Sequence, residues 1–149
     1  MTAILLDTNV LVYAYDTGEP DKQALAINLL HGLKISGQAC LSVQCLGEFF
    51  NAVTRGPTPR LALVEAAPQA EWLANSFPVF NMTPLIVLEA IRGTREHVLS
   101  YFDAQIWAAA RMNQIPFVFS EDFQDGLSLE GVKFVNPFSD HFELGEWIL

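Results

Sequence analysis

The sequence predicts an α/β fold, a three-layer sandwich with a central, mainly parallel sheet. Short apolar runs typical of buried strands alternate along the chain with segments of helical spacing, and several of these segments begin at recognisable helix-start residues. The crossovers between parallel strands are expected to be right-handed. The length of 149 residues is that of one ordinary domain, so residues 1–149 are expected to form a single domain.

The predicted strands share a short apolar run that ends at polar or turn-forming residues. They are Ala3–Leu6, Ala39–Val43, Phe77–Met82, Pro116–Phe119 and Val132–Val135. The first of these runs stops directly before Asp7, so its carboxylate is expected at the carboxyl end of the strand.

The predicted helices lie between these strands. They cover 20–36, Gln44–Arg55, Leu61–Ser76, 84–93 and Ser100–Asn113. Prolines begin two of them, at Pro20 and at Pro84, where Thr83 is the expected cap. Pro68 lies inside a predicted helix, and it is expected to kink or split that helix because proline lacks the N–H that a helix interior needs.

Composition argues against several classes of protein. No apolar stretch approaches the roughly 20 residues that span a bilayer, and Met1 leads straight into a strand-like run, unlike a secretory signal. No membrane contact and a cytoplasmic location are therefore expected. Cys40 and Cys45 have neither zinc-knuckle nor redox-pair spacing, so they are expected to be buried free thiols. The net charge of −9 opposes broad nucleic-acid binding, which depends on Lys and Arg.

Four acidic residues lie where chemistry is expected. Asp7 and Asp122 follow predicted parallel strands, at the sheet edge where open α/β sheets bind ligands. Glu48 belongs to a polar helical stripe, and Asp103 lies in the first turn of its helix, beside an apolar face. Clustered carboxylates repel one another unless a cation compensates them, and an all-oxygen set suits Mg²⁺ or Mn²⁺.

Each of these acids also has a purely structural interpretation. Asp7 would cap a short helix that begins at the next residue, and Asp103 would complete a capping box. Glu48 would be a solvated helix residue, and Asp122 an ordinary turn or N-cap residue. No single acid decides between the two interpretations, so the order, spacing and local sequence of all four carry the weight.

Four motifs carry a resemblance to a known family. They are Leu-Leu-Asp-Thr-Asn-Val-Leu at Asp7, Gln-Cys-Leu-Gly-Glu-Phe-Phe-Asn at Glu48, Phe-Asp-Ala-Gln-Ile-Trp-Ala-Ala-Ala at Asp103, and Ser-Glu-Asp-Phe-Gln-Asp-Gly at Asp122. Over residues 5 to 126 these motifs together resemble the PIN-domain family. Within it, the sequence is most similar to the VapC-type ribonuclease toxins of bacterial toxin–antitoxin modules.

This resemblance implies a metal-dependent endoribonuclease that hydrolyses RNA phosphodiester bonds with Mg²⁺ (or Mn²⁺), the toxin of a toxin–antitoxin pair. It implies that Asp7, Asp103 and Asp122 bind metal. Glu48 completes the catalytic set, either as a further ligand or as an acceptor for a metal-bound water. Metal ions so placed would stabilise charge on the attacking and leaving oxygens.

The resemblance also implies a supporting set of polar residues around the acids, namely Thr8, Asn9 and Ser120. The fourth acid is open to substitution from its own neighbourhood. Glu121 and Asp125 lie close enough in sequence to take the place of Asp122.

The expected partners are an RNA substrate, an antitoxin protein and a second copy of the chain in a homodimer. Arg55 and Arg60 follow the Glu48 stripe and are the candidates for phosphate contact, with ordinary solvated arginines as the alternative. The resemblance implies an antitoxin whose arginine reaches into the acidic site. An apolar helix face within Leu61–Leu73 would form that interface or a homodimer seam, although core packing is the commoner use of such a face.

Two other functions compete with this interpretation. The first is a catalytically inactive module that keeps the fold and only binds, which the presence of all four acids disfavours. The second is another metal-dependent phosphohydrolase with Asp7 as a covalent nucleophile. Such enzymes usually carry a second Asp two positions later, where this chain has Asn9. Neither a Gly-rich phosphate loop nor a Ser-His-Asp order is found in the sequence.

Overall fold

Six strands form one sheet at the centre of the molecule in the computed structural model, which describes residues 2–148. They are β1 (Ile4–Leu6), β2 (Ala39–Ser42), β3 (Val79–Phe80), β4 (Phe117–Phe119), β5 (Ser128–Leu129) and β6 (Val132–Val135). Their order across the sheet is β3-β2-β1-β4-β6-β5. Every neighbouring pair is parallel except β5 and β6, which confirms the prediction of a mainly parallel sheet.

The helices fall into two groups that contact the sheet. They are α1 (Thr8–Tyr13), α2 (Pro20–Ser36), α3 (Val43–Thr54), α4 (Leu63–Ser76), α5 (Pro84–Glu96) and α6 (Tyr101–Met112), followed by a 3-10 turn at Leu144–Glu146. Helices α1 to α4 pack with one another, and α5 packs along α6. This arrangement of helices about a central sheet confirms the predicted sandwich. Within residues 2–148, no helix is long and apolar enough to cross a membrane.

The centre of the sheet is the pair β1 and β4. All three residues of β1 are fully buried, and Ile4 pairs with Ala39 of β2 on one side and Phe117 of β4 on the other. The strand that follows β1 in the chain, β2, lies on one side of this pair. The strands that follow β4, namely β5 and β6, lie on the other side, so the connections of these two neighbours diverge. Open parallel sheets bind ligands at such a switch point, outside the carboxyl ends of the strands.

Short elements account for the omissions in the sequence-based prediction. Helix α1, strand β5 and the 3-10 turn were not predicted as elements, and the strand expected over 77–82 is limited to Val79–Phe80. The hairpin between β5 and β6 turns at Glu130 and Gly131, whose φ angles are 48° and 85°. Two successive positive φ values are typical of the tight turns that join antiparallel strands.

Pro68 does not split α4, which runs unbroken from Leu63 to Ser76. The proline removes a single helical hydrogen bond, the one to the Val64 carbonyl four residues earlier. Both Pro68 and Val64 lie on the exposed side of the helix, where water can take the freed carbonyl. Glu65 further supports the helix start by accepting a hydrogen bond from the Ala62 N–H at 3.0 Å.

Gly93 lies inside α5 rather than at its end, so the predicted end of this helix at Arg92-Gly93 is wrong. A Cβ atom at Gly93 would lie 2.7 Å from Cζ3 and 2.9 Å from Cε3 of Trp107. The Trp107 ring is fully buried, and its Nε1–H donates to the Leu129 carbonyl at 3.1 Å. The close approach of α5 and α6, and not helix termination, therefore requires glycine here.

Gly93→Ala is expected to lower the free energy of unfolding by about 1–3 kcal/mol, because the added methyl group forces the buried Trp107 ring or the helix to shift. Urea denaturation measures this change. Gly47→Ala in α3 is the matched control, since the structure places no atom within 4 Å of its added Cβ. That variant should gain up to about 1 kcal/mol from the helix preference of alanine. Equal effects of the two substitutions would contradict the packing argument.

Candidate functional site

Asp7 lies at the floor of the candidate site, directly after β1. It is buried, with 8% of its surface exposed. Its Oδ1 accepts a hydrogen bond from the Thr8 N–H at 2.8 Å, which makes Asp7 the N-cap of α1. The structural interpretation of Asp7 as a cap is therefore correct, and it leaves Oδ2 free to contact the neighbouring strand end.

Ser120 joins the ends of β1 and β4. The Ser120 hydroxyl donates to Asp7 Oδ2 at 2.7 Å, and Ser120 Oγ accepts a hydrogen bond from the Asp122 N–H at 3.1 Å. Ser120 is 1% exposed, so both bonds are shielded from water. The two strand ends predicted to meet do so through this hydroxyl.

Asn9 links Asp7 to Asp122. Its Nδ2 donates to Asp122 Oδ2 at 3.1 Å and to Ser120 Oγ at 3.1 Å, with a longer contact of 3.4 Å to Asp7 Oδ2. Its Oδ1 accepts from the Glu121 N–H at 3.3 Å. Asn9 thus fixes the segment after β4 against the start of α1. It does so from the position where an aspartyl-phosphate enzyme would carry its second Asp.

Glu48 borders the site from α3. Its Oε2 accepts from the Thr8 hydroxyl at 2.7 Å, and its Oε1 accepts from Gln44 Nε2 at 2.6 Å. Glu48 is therefore a half-buried, hydrogen-bonded residue, unlike the solvated helix residue of its structural interpretation. Gln44, one helical turn earlier on the same polar stripe, is a supporting residue that sequence reasoning did not include, although its spacing from Glu48 is a usable signal.

Asp103 approaches the site from the first turn of α6. The Ser100 hydroxyl caps this helix by accepting from the Asp103 N–H at 3.3 Å, which is one half of the expected capping box. Among residues 2–148, no hydrogen bond involves the Asp103 carboxylate itself. Its charge acts on Asp122 and raises the pKa of that carboxyl. The Asp103 carboxylate is thus near enough to Asp122 to influence it and accepts no hydrogen bond in the cap.

The electrostatics of the site disfavour negative charge. Burial raises the pKa of Asp7 from 3.8 to about 6, and the charges of Asp122 and Glu48 add to the rise, although the hydrogen bonds from Ser120 and Thr8 oppose it. Burial likewise raises the pKa of Asp122, with the hydrogen bond from Asn9 acting against it. No basic side chain is among the main causes of either shift in the described part of the chain. The acids repel one another without a compensating cation.

The ligand atoms of these acids are of the kind that a hard divalent cation prefers, but the side chains do not yet surround a common point. Within residues 2–148, no three His, Cys, Asp or Glu side chains already enclose a common point where a metal ion would lie. The carboxylates of Asp7, Glu48 and Asp122 are instead turned toward their own hydrogen-bond partners. The set is nevertheless all oxygen and lacks a counter-charge, which is what Mg²⁺ and Mn²⁺ require. The candidates for holding an ion are Asp7, Glu48, Asp103 and Asp122.

The two alternatives to Asp122 are occupied elsewhere. Glu121 accepts from Lys22 Nζ at 2.9 Å and from the Tyr13 hydroxyl, so it is paired outside the acidic group. Asp125 accepts from the Asn136 N–H at 2.9 Å. These contacts favour Asp122 as the fourth acid. Sequence reasoning missed the pairing of Lys22 with Glu121, because 99 positions separate the two residues and no local pattern connects them.

A cleft of about 430 Å³ borders the candidate site at Asp122. The lining side chains include Asn9 and Asp122 from the acidic group, and Arg55 and Arg60 from the segment after α3. Arg55 is exposed, whereas Arg60 Nη2 lies 3.1 Å from Asp16 Oδ2 in an ion pair. The structure thus brings both predicted phosphate-contact arginines to the cleft that Asp122 lines.

The fold agrees with what family comparison gives. The PIN domain model matches residues 4–124, which is most of the chain. The protein therefore belongs to the PIN domain family. No curated protein is significantly similar to it in sequence.

Several solved structures with the same fold are of toxins or toxin–antitoxin complexes. A toxin–antitoxin complex from Klebsiella pneumoniae matches with a TM-score of 0.65 and 20% identity, over 91% of this chain and 98% of the other. VapC20 of Mycobacterium tuberculosis, a toxin that cleaves the sarcin–ricin loop, matches with a TM-score of 0.62 and 20% identity, over 80% and 90%. VapBC2 of Rickettsia felis, bound to a promoter DNA fragment, matches with a TM-score of 0.65 and 13% identity, over 89% and 97%.

The raised pKa of Asp7 predicts a pH-dependent loss of stability. Between pH 3.8, the ordinary value, and about 6 the native carboxyl holds its proton more tightly than the unfolded one, so the free energy of unfolding falls as pH rises through this range. Asp7→Asn cannot ionise and should lack this loss. In EDTA above about pH 7, we expect the variant to be more stable than the parent by about 1–3 kcal/mol.

Urea denaturation at about pH 4 and about pH 7.5 measures the effect, and the difference should shrink toward zero at the lower pH. Asp140→Asn, at an exposed position, controls for the loss of one negative charge. A destabilised Asp7→Asn at the higher pH would show that the hydrogen bonds of the carboxylate outweigh the cost of its burial.

Proposed function

We propose that this protein is a metal-dependent endoribonuclease that hydrolyses RNA phosphodiester bonds and acts as the toxin of a toxin–antitoxin pair. The observation that carries the proposal is the group of uncompensated carboxylates at the switch point of the sheet, open to a cleft lined by arginine. Membership of the PIN domain family supports a nuclease. The likeness to VapC20, described as a toxin that cleaves the sarcin–ricin loop, supports RNA as the substrate.

In this proposal Asp7, Asp103 and Asp122 hold Mg²⁺ or Mn²⁺, and Glu48 either joins them or accepts a hydrogen bond from water in the site. A divalent ion there would supply activation of water and stabilisation of charge on the reacting phosphate oxygens. Asp7 is mostly ionised at neutral pH, since its pKa is about 6, so it can serve as an oxygen ligand. Occupation of the site would relieve the repulsion among the acids.

The remaining polar residues orient this set. Ser120 and Thr8 hold the two oxygens of Asp7, and Asn9 holds Asp122. Thr8 also holds Glu48, so one residue sets the positions of two acids from different elements. Pre-set side chains of this kind lower the reorganisation that binding and reaction require.

RNA contact in this proposal is local. The net charge of −9 disfavours binding to RNA in general, whereas Arg55 and Arg60 place two positive charges beside the acids. A phosphate that lies between the two arginines and Asp122 would place the adjacent phosphodiester bond next to the acidic group. A narrow substrate range is the expected consequence.

We also propose an antitoxin partner and a homodimer as the protein's assembly states. Helix α4 exposes Leu63 and Val64, at 66% and 80% of their surfaces, and a groove of about 510 Å³ containing Trp72 lies between α2 and α4. Helix α5 exposes Leu85 and Leu88. Large exposed apolar side chains in groups are typical of protein interfaces, and structures of the same fold from Klebsiella pneumoniae and Rickettsia felis are of toxin–antitoxin systems.

The metal-dependent reaction is tested on total RNA. Purified protein should generate new RNA ends in Mg²⁺ or Mn²⁺, lose this activity in EDTA and regain it with either ion, but not with Ca²⁺, whose larger and more flexible coordination does not suit the site. Mapping the ends by primer extension gives the cleavage position. Full cleavage in EDTA would refute the metal mechanism, and intact RNA under every condition would favour the inactive binding module.

The site residues are tested by paired substitutions of equal size. Asp103→Asn and Asp122→Asn should each reduce cleavage by orders of magnitude, since each removes a carboxylate from the proposed ligand set. Asp125→Asn is the matched control, because asparagine can still accept the hydrogen bond from the Asn136 N–H. It should cleave like the parent. Circular dichroism melting would establish that all three variants are folded, and near-normal cleavage by Asp103→Asn would reduce Asp103 to a structural role.

A further inference from the structure

Arg60 and Asp16 form an ion pair in the lining of the cleft that Asp122 borders. Asp16 follows α1, and Arg60 lies on the connection between α3 and α4, so the ion pair joins two separate segments of the cleft lining. Their side chains approach to 3.1 Å, with 39% of Arg60 and 14% of Asp16 exposed. The pair therefore occupies one of the two arginines that the cleft offers to a phosphate.

The two partners are held with unequal strength. Asp16 is fixed by its own surroundings: its Oδ1 accepts from the Gly18 N–H at 3.0 Å, and its backbone bonds to Tyr13 and Glu19 at 3.1 and 3.2 Å. Arg60 is the end of an exposed stretch, 55–60, and its only described side-chain hydrogen bond goes to Asp16. Asp16 is thus the fixed acceptor, and the Arg60 guanidinium is the group able to change partner.

We infer that Asp16 holds Arg60 in the place of an RNA phosphate, so that substrate binding exchanges a carboxylate for a phosphate on the same guanidinium. This inference rests on the proposed function. A carboxylate and a phosphate offer arginine the same paired oxygen acceptors and the same sign of charge. Asp16 is then a positioning residue: it keeps Arg60 directed into the cleft but competes with every phosphate that approaches.

The exchange makes binding selective. An RNA segment contacts Arg60 only by leaving Asp16 without its partner. A phosphate that contacts Arg60 alone therefore gains little binding free energy. A segment that also contacts Arg55 or the acidic group gains enough to displace the carboxylate. Because an exposed ion pair contributes little to stability, the expected bias against weak contacts is a few-fold in affinity and does not block the cleft.

The test measures affinity for a fluorescently labelled single-stranded RNA of mixed sequence by anisotropy, in EDTA so that no cleavage occurs. Asp16→Asn should bind about two- to fivefold more tightly than the parent, as expected for the loss of one exposed competing carboxylate. The affinity of this variant for RNA should depend more steeply on salt. In the parent, the RNA phosphate releases a cation when it binds Arg60, but the freed Asp16 carboxylate takes one up. The variant lacks this carboxylate, so only the release remains. Arg60→Ala should bind more weakly.

The double variant Asp16→Asn with Arg60→Ala decides the mechanism, because once Arg60 is absent the substitution at Asp16 should keep only the small gain that comes from removing one negative charge. Glu19→Gln removes the same charge from the same cleft without touching the ion pair, and it should improve binding less. Weaker binding by Asp16→Asn, or equal gains from the substitutions at Asp16 and Glu19, would overturn the exchange.

The two levels of proposal fail in different ways. A parent protein that cleaves RNA, with an Asp16→Asn variant of unchanged affinity, overturns the exchange and leaves the ribonuclease in place. A parent that neither binds nor cleaves RNA overturns both. In cleavage assays the exchange further expects a lower KM for Asp16→Asn with an unchanged kcat, since Asp16 acts on binding and not on the reacting phosphate.

Discussion

Burial of the Asp7 carboxylate at the carboxyl end of β1 is the constraint on which the rest of the site depends. A buried charge is tolerated only with hydrogen bonds, and here they come from the start of α1 and from Ser120 after β4. The same Ser120 hydroxyl then accepts from the Asp122 N–H, so satisfying one carboxylate positions the next. The hydrogen bonds around the acids are therefore formed by the fold itself and do not require a bound cation.

Charge is distributed in two levels around the cleft. The acids nearest the sheet have no basic neighbour acting on them among the described residues, whereas the available cations lie further out: Lys22 is paired with Glu121 and Arg60 with Asp16. Pairing at the outer level leaves the inner level strongly negative. Within the proposed function, a divalent ion therefore binds most favourably at the inner level and an RNA phosphate at the outer level, so the two binding sites are separated in space.

Local patterns were enough to predict most of the fold, because apolar runs, capping residues and prolines each act within a few positions. The same reasoning placed Asp7 and Asp122 at strand ends, since parallel strands bring their carboxyl ends to one edge. It offered six-residue α1 only as the short helix that Asp7 would cap, because this helix is too short for a periodic signal, and it did not anticipate the role of Gly93, which is set by Trp107 in another helix. Contacts between distant positions have no local signature, and the Asp16–Arg60 pair belongs with these.

The uncompensated acids also bear on how the proposed toxin would be restrained. The repulsion that favours a divalent ion among Asp7, Asp122 and their neighbours favours equally any other cation that fits, including the guanidinium of a partner protein. Such a side chain would form strong paired hydrogen bonds with carboxylates and would occupy the ligands that the reaction needs. Within the proposed function, activity and inhibition thus draw on one electrostatic feature. An acidic surface elsewhere on the protein, with a net charge of −9, would speed the approach of a basic partner while slowing that of RNA.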